Sequence, residues 1–339
     1  MLRGKGLLIF CMITTFAFGI GVNLNKDGTI CMGGESEAAA TVIFRVATNN
    51  PKEHPTTYAL DEFAKVLKQK TNGKVEVQVY ADAQLGEALP TTEQVQQGFL
   101  EFIRTGAGNM TPFAPLMEIF NVPFLFKSVD QFWKVMNGPI GMEIFRDLES
   151  KQLKGLVYYD AGARSFYNRL KTIRTLEDMK GMKVRITPSK VMNRTIQILG
   201  ALPATTTFAE VYSALQMGVI DGAENSPISL LTMKHHEVAP YFSLSEHIRP
   251  PDMLIMSLKK WNEQTPEIQK AIIEAAKASQ GFQIKAWADY EKRAMDELRA
   301  KGEKINDVDK EAFAKAIQPL IEELKPQFKG LIEKIQAVK

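Results

Sequence analysis

Arg164, Arg185, Phe208 and Asn225 fall in one stretch of the chain, and together they supply two guanidinium groups, an aromatic wall and an amide. That set suits a carboxylate. A guanidinium presents parallel N–H donors that match two carboxylate oxygens, so a bidentate pair fixes orientation as well as charge. Arg185 ends the Met182 to Ile186 run, which reads as a strand, and ligands of α/β folds bind beyond strand ends. An arginine in that place also serves as a surface ion pair. Arg164 follows Gly162, a residue that lets the backbone approach closely. Asn225 donates and accepts at once and fits a carboxylate oxygen or a sugar hydroxyl; it also stands as a turn residue ahead of Pro227. Phe208 opens an amphipathic helix, a position that serves a cleft wall or the core.

The first part of the chain offers further polar candidates. Asn49 and His54 lie in the loop after the first strand, at the expected edge of a cleft, and Glu87 follows the Gln84-Leu85-Gly86 turn. Arg104 ends Phe99-Leu100-Glu101-Phe102-Ile103, a buried-looking strand in which a charge needs a partner or a ligand. An arginine clamp facing such polar groups is what closure around a polar anion requires. Catalytic signatures are missing by comparison: there is no Gly-x-Ser-x-Gly, no phosphate-binding glycine loop and no His-Glu-x-x-His. Asp160, Asp221 and Glu224 are carboxylates that only proximity in sequence would pair for acid and base work. His235 and His236 are adjacent and point apart on a helix, and neither they nor His247 have a cysteine to help them hold a metal. No catalytic residue, metal or cofactor is expected.

The elements that must carry these residues alternate. Val42 to Ala47 reads as a strand, the helical spacing of Ala59, Phe63, Val66 and Leu67 as a helix closed near Gly73, and Val75, Val77 and Val79 as the next strand. Ser128 to Gln131 reads as a capping box, Gly155 to Tyr159 as a buried strand, and Thr175 to Asp178 as the start of a short helix before Met182 to Ile186. The class is therefore α/β. Thr265-Pro266 starts the longest helix, with Ile268, Ile272, Ala275, Phe282, Ala286, Tyr290, Ala294 and Leu298 marking one face as far as Gly302. At about 1.5 Å per residue it spans roughly 50 Å, more than one small lobe is wide, so it crosses two lobes or projects as a dimerisation helix.

With 339 residues, 45% of them hydrophobic and 24% charged, the length favours two domains. A net charge of +3 without a basic block disfavours nucleic acid. Arg3 and Lys5 precede an uncharged apolar run from Leu7 to Val22, the shape of a secretory signal peptide over residues 1–40, with Ala38-Ala39-Ala40 as the cleavage context. A membrane anchor or a lipid on Cys31 are the alternatives. Both cysteines, Cys11 and Cys31, precede that cut, so the mature chain would hold no disulfide.

From about Val42 onward the chain carries, in order, Gln84-Leu85-Gly86, Val122-Pro123-Phe124-Leu125-Phe126, Gly162-Ala163-Arg164, Gly181 to Ile186, Glu210 to Gln216 and Asp221-Gly222-Ala223-Glu224-Asn225. In this it resembles the DctP family, the extracytoplasmic solute receptors of TRAP transporters. The resemblance implies a two-lobed periplasmic-binding-protein fold with a long helix spanning both lobes. Lobe I would take 41–161 with a returning segment near 250–288, and lobe II 162–249 with C-terminal helices over 289–339. It implies that Arg185 clamps a ligand carboxylate and that Arg164 reaches the same ligand. It also implies a monomeric, non-enzymatic protein outside the cytoplasmic membrane that delivers an organic acid to small and large integral membrane subunits. Asn225-Ser226-Pro227, Lys234 to Val238 and Glu246-His247 look like receptors for sugar acids such as D-glucuronate or D-galacturonate. A C4-dicarboxylate such as succinate, malate or fumarate is the runner-up ligand, and a secreted enzyme acting on such acids the rival function.

Overall fold

A computed structural model describes residues 41–339, together with β1 (Val22–Leu24) and β2 (Ile30–Met32), which pair antiparallel. The expected export segment over residues 1–40 otherwise lies outside the described residues. Among the described residues no helix is long and apolar enough to cross a membrane.

Eleven further strands follow: β3 (Val42–Ala47), β4 (Val75–Tyr80), β5 (Phe102–Gly106), β6 (Leu153–Tyr159), β7 (Arg164–Asn168), β8 (Lys183–Ile186), β9 (Leu202–Thr205), β10 (Gly222–Asn225), β11 (Tyr241–Ile248), β12 (Asp252–Ser257) and β13 (Lys304–Asp307). They form two mixed sheets, one in the order β4-β3-β5-β12-β6 and the other β13-β11-β7-β10-β8-β9. In the first only β12 runs against its neighbours; in the second only β7 does. The chain crosses between sheets at 160–163, returns at 249–251, and crosses again through the helix Pro266–Ala300.

The helix Pro55–Lys70 shows how local chemistry sets an element. His54 accepts the backbone N–H of Thr56, Pro55 occupies the first turn where its missing N–H costs nothing, and Gly73 takes the positive φ needed beyond the end. Its apolar face, Ala59, Leu60, Phe63 and Leu67, packs on β3 and β5, with Phe63 edge-on to Phe102 at 5.3 Å. Each such buried side chain contributes about 1.5–3 kcal/mol. Arg104 falls in the middle of β5 rather than at its end, because Gly98 turns the chain out in a left-handed conformation and leaves Phe99 exposed before the strand begins.

The helix Pro266–Ala300 runs 35 residues, about 52 Å at 1.5 Å per residue. Ala271, Ile272, Ala275 and Ala276 pack with Leu60 and Phe63 of the first sheet's core, and Leu298 packs with Tyr167 and Phe242 of the second. The expected apolar face fails between these ends: Phe282 is 43% exposed and Gln283 is fully buried. Here the helix passes the 160–163 crossover, whose backbone groups lie outside either sheet and need partners. Gln283 supplies both kinds at once, accepting from Asp160 N at 2.9 Å and donating to Asp160 O at 2.8 Å. A phenylalanine could do neither.

Ser128 caps the helix Val129–Met136 through Gln131 N, but the Gln131 side chain does not complete the box; it donates to Ile335 O at 3.1 Å and Val338 O at 2.8 Å. The C-terminal helices Lys310–Leu324 and Leu331–Ala337 thus pack into a core shared by Phe120 and Phe132 from before the first crossover and by Met192 and Ile196 from after it.

Candidate functional site

A cleft opens between the two sheets, and Asn49, His54, Arg104, Arg164, Arg185, Phe208 and Asn225 all line it. Glu87 lines an adjoining recess at its edge, together with Asn49, Arg185 and Phe208. The seven cleft residues come from loops and strand ends that are remote in sequence. Arg185, on β8, lies beside Ala223 of β10 in parallel register, and Asn225 at the end of β10 lies beside Ser165 of β7 in antiparallel register. Gly162 holds φ +71°, and a Cβ there would press on Trp287 and Ser226, at 3.0 and 3.2 Å. Only glycine lets the crossover deliver Arg164 to this point.

The three guanidinium groups are used differently. Arg164 is held on both edges: Nε donates to Glu224 Oε2, Nη2 to Glu224 Oε1 at 2.7 Å and Glu224 O at 2.6 Å, and Nη1 to Asn225 Oδ1 at 2.9 Å. Burial opposes its charge, but Glu224 prevails and raises its pKa. Arg104 Nη2 pairs with Asp252 Oδ2 and Nη1 reaches Asn49 Oδ1 at 3.4 Å, while Nε finds no partner among the described residues. Burial, and then the Arg164 charge, lower its pKa to about 9, which leaves it protonated at neutral pH. Arg185 donates from Nε and Nη2 to a single carbonyl, Thr206 O, at 3.0 and 2.8 Å. It is only 4% exposed, and among the described residues it forms no salt bridge. Burial is the main cause that lowers its pKa, with Arg164 adding to the effect. A buried guanidinium without a counter-charge is costly, and an anion delivered to its Nη1 edge would relieve that cost.

The neutral groups have definite orientations. Asn225 Oδ1 accepts from both Arg164 and Ser226 N, at 2.9 Å each, which turns the Nδ2 donors away from these partners. His54 Nδ1 accepts from Thr56 N at 3.2 Å and faces Asn50 Nδ2 at 3.0 Å, so its proton sits on Nε2. Burial, with Arg104 nearby, holds its pKa well below the usual value. The His54 ring meets Trp287 edge-on at 5.6 Å, and Phe208 meets His235 edge-on at 5.9 Å. Glu87 bridges the two sides, since its carboxylate accepts from Asn49 Nδ2 and from Ala209 N, each at 3.3 Å. The cleft thus offers one cation with no salt-bridge partner among the described residues, several donors and acceptors, and aromatic surface on two sides.

Sequence reasoning overlooked Asp252, Asn50, Asn109, Asn121 and Thr187 in this cleft and gave Glu224 no partner. Asp252 carried a readable signal, because it opens a strand whose following four residues, Met253 to Met256, are all apolar. The same reasoning that asks Arg104 for a partner asks one for Asp252. His235 and His247 lie apart, the first bonded to Tyr167 Oη at 2.8 Å and the second to Ser245 Oγ at 2.8 Å.

Known proteins of the same architecture carry sugar acids in their structures. A TRAP periplasmic solute binding protein from Xanthobacter autotrophicus Py2 with bound β-D-galacturonate is 37% identical, with 87% of this chain and 100% of that chain covered and a TM-score of 0.84. One from Roseobacter denitrificans with bound β-D-glucuronate is 36% identical, covering 88% of this chain and 100% of that chain at a TM-score of 0.85. The 2,3-diketo-L-gulonate-binding periplasmic protein YiaO of Escherichia coli K12 is 30% identical over 261 residues, 76% of this chain and 79% of that protein. The model of the DctP family, bacterial extracellular solute-binding protein family 7, matches residues 46–327, and with the two-sheet architecture and the cleft between them it shows that this chain belongs to that family.

Proposed function

We propose that the protein is the extracytoplasmic receptor of a TRAP transporter, which captures a sugar acid of the uronate class, D-glucuronate or D-galacturonate, and delivers it to the integral membrane subunits. Arg185 carries the reading. It is a buried guanidinium with no carboxylate partner among the described residues, and it lines a cleft whose other groups are amides, hydroxyls, aromatic rings and two arginines, Arg104 and Arg164, that are each paired with a carboxylate. A ligand carboxylate would take the free Nη1 edge of Arg185 and the Nδ2 donors of Asn225, while ring hydroxyls meet His54 Nε2, Asn49 and the Arg104–Asp252 pair. Trp287 and Phe208 offer apolar surface to the faces of a pyranose ring.

Residues 41–161 with 250–288 would form one lobe and 162–249 with 289–339 the other, hinged at the crossovers 160–163 and 249–251. The receptor works as a monomer, outside the cytoplasmic membrane, and binds without turnover. The uronates held by relatives of 36–37% identity favour this ligand class over a C4-dicarboxylate. Calorimetry with a panel of uronates, aldonates and C4-dicarboxylates, with the mixtures then followed by NMR, tests the reading. One uronate bound per chain with no product is expected. Product formation, or tight succinate binding with no response to uronates, would refute it.

A further inference from the structure

Three arginines line the cleft, and a site built to hold two carboxylates would leave two of them free. Only one is free. Arg164 spends its fork on both oxygens of Glu224, and Arg104 is engaged by Asp252, whereas Arg185 has no carboxylate partner among the described residues. Asp252 reaches Arg104 because β5 and β12 run antiparallel, with Asp252 opposite Gly106 and Arg104 opposite Leu254, so the two side chains meet on a diagonal. Gly106 keeps this place open, since a Cβ there would stand 3.1 Å from Asp252 Oδ1. Oδ1 accepts no hydrogen bond from the described residues, and Asp252 lines the cleft.

We propose that Asp252 sets the charge class of the ligand: paired with Arg104, it turns a would-be second carboxylate clamp into a reader of hydroxyls, so the cleft takes a monoanion and refuses a dianion. This rests on the sugar-acid reading of the cleft and adds a rule of charge to it. A hydroxyl satisfies such a pair by donating to Asp252 Oδ1 and accepting from an Arg104 N–H. A second carboxylate can only accept, and it would face Asp252 Oδ1 across a buried site, where like charges penalise the wrong ligand by orders of magnitude. Glu87 at the rim adds a further negative group on the same side of the cleft as Asn49.

The test compares D-galacturonate, galactarate and the monomethyl ester of galactarate by calorimetry on the full chain at pH 7. The diacid and its half-ester share a skeleton and differ by one charge. Wild type is expected to bind the half-ester at least about tenfold tighter than the diacid, one tenfold step being a modest like-charge penalty. Asp252→Asn, which keeps the shape and frees the Arg104 charge, should shrink or reverse that ratio, and Arg104→Gln/Asp252→Asn, which removes both charges, should bind the diacid more weakly than Asp252→Asn does, because no freed cation is left for the second carboxylate. If Asp252→Asn fails to fold, the wild-type ratio decides alone. Galactarate binding as tightly as its half-ester, or an Asp252→Asn variant that folds and keeps the wild-type ratio, overturns the proposal. A wild type that ignores galacturonate yet prefers the half-ester sinks the uronate reading and keeps the charge rule. One that binds galacturonate and galactarate alike does the reverse, and one that binds none of the three sinks both.

Discussion

Arg185→Ala and Arg164→Ala remove the same group from the same cleft, yet they should fail in opposite ways. Arg185 gives its Nε and Nη2 donors to Thr206 O, the carbonyl of a half-buried residue, which water can serve once the arginine is gone. The lost charged hydrogen bond, about 1.5–3 kcal/mol, is offset by release of a buried charge that has no carboxylate partner among the described residues and is repelled by Arg164. The free protein should therefore keep its stability within about 1 kcal/mol, the size of an ordinary net hydrogen bond. Ligand binding is different: truncating one side of a buried charge pair costs about 2–5 kcal/mol, or roughly 30- to several-thousand-fold in Kd at 1.4 kcal/mol per tenfold. Arg164→Ala instead leaves Glu224, 1% exposed, without its counter-charge, and breaking a buried pair from one side costs about 3–5 kcal/mol of stability. Thermal melts of both free variants and uronate titrations of Arg185→Ala check the contrast. Near-native affinity in Arg185→Ala, or a loss of Tm equal to that of Arg164→Ala, would refute the assignment of Arg185 as the free clamp. Arg185→Lys should recover little, because an ammonium cannot present two parallel donors.

Gly108→Ala places a Cβ against Thr187 Oγ1 and 3.0 Å from Thr187 Cβ, across the cleft from the short helix Ala107–Met110 after β5 to the residue that follows β8. It should weaken ligand affinity and reduce ligand-induced compaction in solution scattering, with Thr187→Gly restoring both; unchanged compaction counts against closure along this line. Glu87→Ala removes the bridge to Ala209 N, worth about 1 kcal/mol, and should speed ligand release about fivefold in stopped-flow measurements while leaving the ranking of uronates unchanged. A changed ranking would mean that Glu87 touches the ligand. Acid stability follows from His235 and His247, whose pKa values burial lowers from the ordinary histidine value of about 6.5 to about 3. Between those values the unfolded chain binds protons that the folded one refuses, so stability falls as pH drops below about 6.5, by about 2 kcal/mol per histidine at pH 5. Urea midpoints at pH 7 and pH 5 measure this, and His247→Gln should flatten the slope; an unaltered slope would show that His247 titrates freely.

What the sequence determined by itself is local. The order of strands and helices, the caps at Thr265 and Ser128, the turn at Gly73 and the candidates Arg185 and Asn225 all follow from spacings of a few residues, where side-chain period and backbone preference act directly. Tertiary structure decided who pairs with whom. Arg104 and Asp252 are 148 residues apart, and Arg164 and Glu224 are 60 apart; antiparallel registers bring each pair together. Phe282 lost its expected place on the buried face to Gln283 because an unpaired crossover backbone outside both sheets demanded an amide. Three arginines in a sequence are three equal positive charges. In a dry cleft the interaction between charges depends on their separation and on the water excluded around them, so only the fold could leave Arg185 as the one of the three without a carboxylate partner among the described residues.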